Sequence, residues 1–261
     1  MNFDHLVVAH EKDFNTLPLC VEGLGHIKGG TGKIYVISKK DPGIDGVEFV
    51  DERSFDKHFS LSEVRDALRA RDPYAGNRSG WIYQQMLKML CWKEIDFTNG
   101  RYHSVDADVI YVRDVDYGGS DFTYSRPYNG LGGGFIYFHQ YNDTFKNLIG
   151  RSYGKSYVCH NMVFDKRYLS ELIGIIEDKK GKDFVLCLYD SIHIDEYGPA
   201  FSEYELYGNW MVENHPDKCK EIDVKWMDFM VVPNEDLKRE LISEGFDFVA
   251  SHEYMRQELP A

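Results

Sequence analysis

The sequence predicts an α/β protein: a single domain over residues 1–261, with a mainly parallel, twisted sheet flanked by helices. Three observations carry this. Short β-branched apolar runs alternate with longer segments whose apolar residues recur at spacings of three and four. The first run, His5-Leu6-Val7-Val8-Ala9, stops abruptly at the polar cluster His10-Glu11-Lys12-Asp13, as a strand buried on both faces does when it hands over to a loop. No Pro-, Gly- or Ser-rich linker divides the chain.

Further strands are expected over 33–38 and 47–50. A helix over 60–70 is signalled by Ser60 and Glu63 at capping-box spacing and by Leu61, Val64 and Leu68 on one stripe. Residues 80–92 read as a largely buried helix. A strand at 102–105 runs into Asp106-Ala107-Asp108 and resumes at Val109-Ile110-Tyr111-Val112. Another strand is expected over 134–138, and a helix over 168–178 with Leu169, Leu172, Ile173 and Ile176 on one side. Near the end, Val231-Val232 reads as a strand, Asn234 as the N-cap of a helix that Gly245 stops, and 246–250 as the last strand.

With 43% apolar residues the chain can build a core. Its 30 basic and 43 acidic residues leave a net charge of −13, which argues against a nucleic-acid partner, since phosphate-backbone binding needs a surplus of cations. No apolar run approaches the ~20 residues that span a bilayer. The start, Met1-Asn2-Phe3-Asp4-His5, lacks the basic region of a secretory signal. Five cysteines, odd in number and without a CxxC pair, read as reduced thiols, so a cytoplasmic protein is expected.

Two glycine-rich stretches invite functional readings. Residues 23–33 do not fit a phosphate loop, because Ile27 and Ile34 stand where Gly and Ser or Thr are required and a strand follows instead of a helix. A mobile surface turn is expected there. Residues 129–134 would let a ligand approach the backbone closely, or would form a plain hairpin loop.

The pair Asp106-Ala107-Asp108 is the most informative motif. In an extended segment, side chains at i and i+2 point the same way, so both carboxylates can converge on one divalent cation. Oxygen ligands suit Mn²⁺ or Mg²⁺, and such an ion would let an acidic protein hold a nucleotide diphosphate. Phe201-Ser202-Glu203-Tyr204-Glu205-Leu206-Tyr207-Gly208 sets two carboxylates among aromatic rings, whose desolvation raises a carboxyl pKa toward that of a general base. Glu203 is the first candidate, Glu205 the second, and Asp165 a weaker third. An aromatic helix start packed on the core explains the same segment.

The order of these motifs resembles the nucleotide-sugar glycosyltransferases of the GT-A fold, in particular small microbial and viral types. The resembling segments are residues 80–88, Asp106-Ala107-Asp108, His160-Asn161-Met162-Val163-Phe164-Asp165, residues 201–208 and His252, spanning roughly 5–255. The resemblance implies a metal-dependent transfer of a sugar from a nucleotide diphosphate-sugar, with UDP-sugars the commonest donors, to a glycan hydroxyl. It implies a nucleotide-binding half at about 1–115 and an acceptor-binding half at about 116–261. Ala9, His10 and Lys12 would hold the base or phosphate, and Tyr83, Gln84 and Lys88 the ribose and phosphate; a solvated helix face explains Lys88 equally. Asp106, Ala107 and Asp108 would form the metal and diphosphate site, completed by His252, with His160 as its rival or as a diphosphate contact. Glu203 would deprotonate the acceptor in an inverting displacement, and a retaining outcome follows if no carboxylate faces the leaving group. Other classes compatible with the sequence are a non-catalytic carbohydrate-binding module, a metal-dependent phosphotransfer enzyme and a nucleotidyltransferase.

Overall fold

The computed structural model describes residues 3–30, 32–118, 122–125 and 138–252. Chain order begins β1 (Asp4–Val8), α1 (Leu17–Gly23), β2 (Ile27–Lys28), β3 (Ile34–Ser38), β4 (Glu48–Asp51), α2 (Leu61–Arg71) and α3 (Ser79–Leu90). It continues through β5 (Arg101–Asp106), β6 (Val109–Tyr111), β7 (Val115–Asp116), β8 (Phe122–Ser125), α4 (Phe138–Ile149), β9 (Asn161–Asp165) and α5 (Lys166–Lys180). The last part holds α6 (Phe184–Ser191), β10 (His193–Asp195), β11 (Gly198–Ala200), α7 (Glu203–Asn214), β12 (Cys219–Ile222), β13 (Trp226–Asp228), α8 (Glu235–Ser243) and β14 (Phe248–Ala250).

The central sheet has the order β4-β3-β1-β5-β9. Its first four strands are parallel, and β9 closes one edge antiparallel to β5. Strand β1 alternates faces. Leu6 and Val8 join a core with Ile82 and Met86 of α3 and Leu172 of α5, whereas Phe3, Val7 and Ala9 join a second core with Leu17 and Cys20 of α1. Both faces are covered, which is why β1 reads as an unbroken apolar run. The protein is thus mixed α/β, with a mainly parallel central sheet flanked by helices and several smaller sheets beside it.

Several expected elements are in place. Ser60 caps α2 in a reciprocal box with Glu63. Asn234 accepts from the Leu237 amide to cap α8, and Gly245 takes a left-handed φ of +83° just beyond it. The stripe of α5 is buried as spaced. All five cysteines are free thiols. No helix among the described residues is long and apolar enough to cross a membrane.

Other expectations need correction. Val231 and Val232 are not a strand; the strand lies earlier, as β13, because its partner β14 ends at Ala250 opposite Asp228. His160, which the sequence pattern places directly before a helix, instead precedes strand β9 and only then helix α5, since Met162, Val163 and Phe164 bury against β5. The strand expected over 134–138 and the glycine turn at 129–134 lie outside the described residues, except for Phe138, which opens α4. Glu253 and Tyr254 also lie outside them.

The glycines of 23–33 do not form a loose surface turn throughout: Gly25 is exposed, but Gly23, Gly30 and Gly32 pack against strands. A Cβ on Gly23 would meet the Tyr111 amide nitrogen at 2.8 Å, and one on Gly30 would meet the His5 ring at 2.3 Å. At Gly32 it would lie 1.9 Å from Asp4 Oδ1 and 2.8 Å from the Phe3 carbonyl oxygen. Asp4 cannot yield, since its carboxylate accepts from the amides of Lys33 and Thr98 at 2.9 and 2.6 Å. Gly32→Ala should therefore destabilise the fold by about 1–3 kcal/mol, the usual cost of overpacking, seen as a lower midpoint in urea denaturation. An unchanged midpoint would show that β1 and the segment before β3 can separate freely.

Candidate functional site

In the central sheet, β3 and β4 extend to one side of β1 and β5 lies on the other, so the strand order reverses between β1 and β5. In open α/β sheets the crevice beyond the carboxyl ends at such a reversal is where ligands bind. Here the crevice is a cavity of about 650 Å³. The residues singled out from the sequence converge on it: Ala9, His10 and Lys12 after β1; Tyr83, Gln84 and Lys88 from α3; Asp106, Ala107 and Asp108 after β5; and His160, Glu203 and His252 from the second half. Neither Glu205 nor Asp165 is among its lining residues; Asp165 is buried and caps α5, accepting from the Arg167 amide at 2.8 Å.

Each wall is fixed by local bonding. His10 caps the short 3-10 turn at Glu11–Asp13, accepting from the Lys12 amide at 3.2 Å while its own amide donates to Asp13 at 3.3 Å. Gln84 Nε2 donates to the Val8 carbonyl at 3.0 Å, tying α3 to the last residue of β1. The Tyr83 hydroxyl donates to the Glu52 carbonyl at 3.3 Å.

The two aspartates do not share one extended strand. Asp106 ends β5, while Ala107 and Asp108 form a turn that carries the chain into β6 of a different sheet, locked by the Ser251 amide donating to the Asp108 carbonyl at 2.8 Å. The carboxylates consequently meet different imidazoles. Asp106 Oδ2 lies 3.1 Å from His160 Nδ1, and Asp108 Oδ2 lies 2.7 Å from His252 Nδ1. The opposite ring nitrogens converge: His160 Nε2 and His252 Nε2 are 3.3 and 3.2 Å from the same atom, Asp228 Oδ1. Donor atoms of His160, Asp228 and His252 all lie within 4.8 Å of one another, close enough to share one ion.

That donor set fits a metal. Two imidazole nitrogens and a carboxylate suit Mn²⁺ or a later first-row ion better than Mg²⁺, which prefers oxygen. Asp106 and Asp108 then occupy the position of carboxylates that bond the outer nitrogen of a metal-binding histidine, fixing its tautomer and orientation. Asp228 was missed in the sequence. Its signal was an acid interrupting the apolar run Trp226-Met227-Asp228-Phe229, the same break that drew attention to Asp106. His160 also carries a left-handed φ of +62°, a conformation that a residue with a Cβ seldom holds unless its surroundings impose it.

Lys88 lies on no solvated face: it is 3% exposed, and its ammonium sits between Asp106, Glu203 at 2.8 Å and the Tyr204 hydroxyl at 3.2 Å. Burial alone would push the Asp106 carboxyl up, but Lys88 and His160 override it and hold it below the usual carboxylate range. Burial raises the Glu203 carboxyl, with Lys88 opposing. For His252, burial disfavours the charged ring, yet its bonds to Asp108 and Asp228 prevail and lift it to about 10.

Glu205 has a different task. It is 1% exposed and accepts from Ser156 Oγ at 2.7 Å, the Tyr157 amide at 3.0 Å and Asn209 Nδ2 at 3.1 Å, so it anchors the segment before β9 to α7. Burial raises its carboxyl to about 7 against those bonds.

In comparisons with known proteins, no protein-family model matches the chain, and no curated protein matches it.

Two tests follow from this geometry. Titration with Mn²⁺, followed by the loss of its free-ion electron paramagnetic signal, should show binding that Asp228→Ala abolishes and Asp108→Asn weakens by about 10–100-fold. Equal affinity in all three proteins would place any bound ion elsewhere. For Glu205, a folded pKa above the unfolded value of 4.5 means its contribution is complete below pH 4.5 and is lost as pH rises through about 7. Glu205→Gln should remove that decline, roughly 3 kcal/mol between about pH 4.5 and 8, measured by urea unfolding at several pH values. A wild-type profile just as flat would show that Glu205 is already ionised in the folded protein.

Proposed function

We propose that this protein is a metal-dependent glycosyltransferase of GT-A type that moves a sugar from a nucleotide diphosphate-sugar to a hydroxyl of a glycan acceptor. One observation carries the reading: the loop after β1, the turn after β5 and the two histidines of a histidine–carboxylate donor set line a single cavity at the strand-order reversal. A pocket of about 650 Å³ is within the range that holds a small ligand.

His160, Asp228 and His252 would hold the ion, with Asp106 and Asp108 bracing the imidazoles. Bound there, a divalent cation supplies Lewis-acid neutralisation of the diphosphate's charge. The residues 9–13 receive the nucleoside end, since they follow β1 at the crevice. Lys88 keeps its ammonium at the inner wall, where it stabilises negative charge that develops on the departing group. Glu203, raised by its burial, takes the acceptor's hydroxyl proton. As it does so the acceptor oxygen bonds to the sugar's anomeric carbon, the bond from that carbon to the diphosphate oxygen breaks, and its electron pair leaves with the nucleoside diphosphate. The configuration inverts.

This reading is tested by thermal denaturation of the full chain with UDP-, GDP- and other nucleotide-sugars, with and without Mn²⁺. At a ligand concentration about 100 times Kd the stabilisation is about 2.7 kcal/mol, so one donor class should raise Tm by about 5 °C or more, and only with the metal present. A flat response to every nucleotide-sugar in the presence of Mn²⁺ would overturn the reading.

A further inference from the structure

Gln85 sits on α3 one turn before Lys88 and is 3% exposed, yet it lines the cavity. Its Oε1 accepts from the Glu203 amide at 3.2 Å. That bond fixes the orientation of the side-chain amide, because an NH2 group turned toward the same N–H would set donor against donor. Nε2 therefore faces the other way, and it meets no acceptor among the described residues. Nε2 is itself closed to solvent, and buried donors are almost always satisfied in folded proteins, so an orphan on a residue that lines the cavity calls for a partner that arrives with a ligand.

The surroundings indicate what that partner is. Trp81 precedes Gln85 by four residues and lies on the same helix face. Its ring stacks on Tyr141, with centroids 6.0 Å apart and planes at 28°, and both rings line the cavity. On the other side stands the Glu203 carboxylate, held by Lys88 at 2.8 Å. An uncharged donor, an apolar aromatic wall and a carboxylate around one volume match a polyhydroxylated ring, whose hydroxyl oxygens accept from an amide while its C–H groups lie on apolar surface.

We propose that Gln85 is a ligand-binding residue: its Nε2 donates to a hydroxyl oxygen of the hexosyl group carried by the nucleotide diphosphate-sugar, with Trp81 and Tyr141 forming the wall beside it. The proposal rests on the glycosyltransferase reading. It assigns the sugar to the chain Gln85–Glu203–Lys88–Asp106, which leads by bonded contacts to His160.

The test compares nucleoside diphosphates with their sugar conjugates by calorimetric titration of the full chain in Mn²⁺, using UDP against UDP-glucose, UDP-galactose and UDP-N-acetylglucosamine, and GDP against GDP-mannose. In wild-type protein one conjugate binds more tightly than its diphosphate. Gln85→Met and Gln85→Glu should each weaken that conjugate about tenfold and leave the diphosphate within about twofold. The unchanged diphosphate shows that each variant is folded with an intact site. Gln85→Glu keeps an oxygen facing the Glu203 amide, so a role confined to holding Glu203 would be rescued by it, and rescue overturns the proposal. Equal loss of diphosphate and conjugate, or no loss of either, also overturns it while leaving the glycosyltransferase reading standing. Failure of the wild-type protein to bind any of these nucleotides with Mn²⁺ overturns both.

Discussion

A carboxylate carried on the end of a buried strand obliges its neighbours to bring it charge. Asp106 is in that position: β5 lies between β1 and β9 in the sheet, and burial by itself would drive the carboxyl toward its neutral form. The ammonium of Lys88 answers it from α3, and the imidazole of His160 from the residue before β9. Meeting that demand places Lys88 inside the protein, where it in turn holds Glu203. Helix α3, the start of α7 and the edge of the sheet are thus drawn to one point by a single negative charge. A buried lysine between two acids carries a desolvation cost that packing does not require, and such groups concentrate at functional sites.

The same logic runs outward through the second aspartate. Asp108 meets His252, and the two histidines, each with one nitrogen taken by a motif carboxylate, turn their remaining nitrogens toward Asp228. An acid–imidazole–acid arrangement on both sides fixes ring orientation before any ion arrives, which is the preorganisation a metal centre needs.

Much of this was legible in the sequence, and the reasons differ by element. Strand β1 announced itself because burial on both faces leaves an apolar run, β3 by its apolar stretch Ile34-Tyr35-Val36-Ile37, and α2 and α5 because caps and stripes are local signals. The residues of the crevice were legible because polar clusters interrupt those runs at their carboxyl ends. What failed was what depends on partners distant in sequence. Whether 106–108 continues straight or turns is decided by the pairing of β6 with β14, about 140 residues later. The left-handed backbone at His160, the strand that follows it and the tight packing of Gly30 and Gly32 on β1 are likewise settled by neighbours no local pattern names. Glu203 and Glu205 looked alike in sequence, two acids among aromatics. Their separation follows from α7, where side chains two apart diverge by about 200°, sending one to the cavity and the other toward Ser156 and Tyr157.

The turn at 107–108 is also where the central sheet is joined to the three-stranded sheet β13-β14-β6, and this constrains how the site can vary. The central sheet supplies the crevice, but Asp228 and His252 come from β13 and the residues just after β14, strands that among the described residues pair with each other and with β6. The amide of Ser251 on the Asp108 carbonyl and that of Phe229 on the Ala250 carbonyl, at 2.8 and 2.7 Å, set the registers that bring those two donors to His160. A slip of one residue in β14 would turn its side chains to the opposite face and dissolve the donor set while leaving β1, β3 and β5 paired. The crevice therefore comes from the parallel sheet, whereas the donor set of His160, Asp228 and His252 depends on the small side sheet. Any function that needs both must keep the turn that links them.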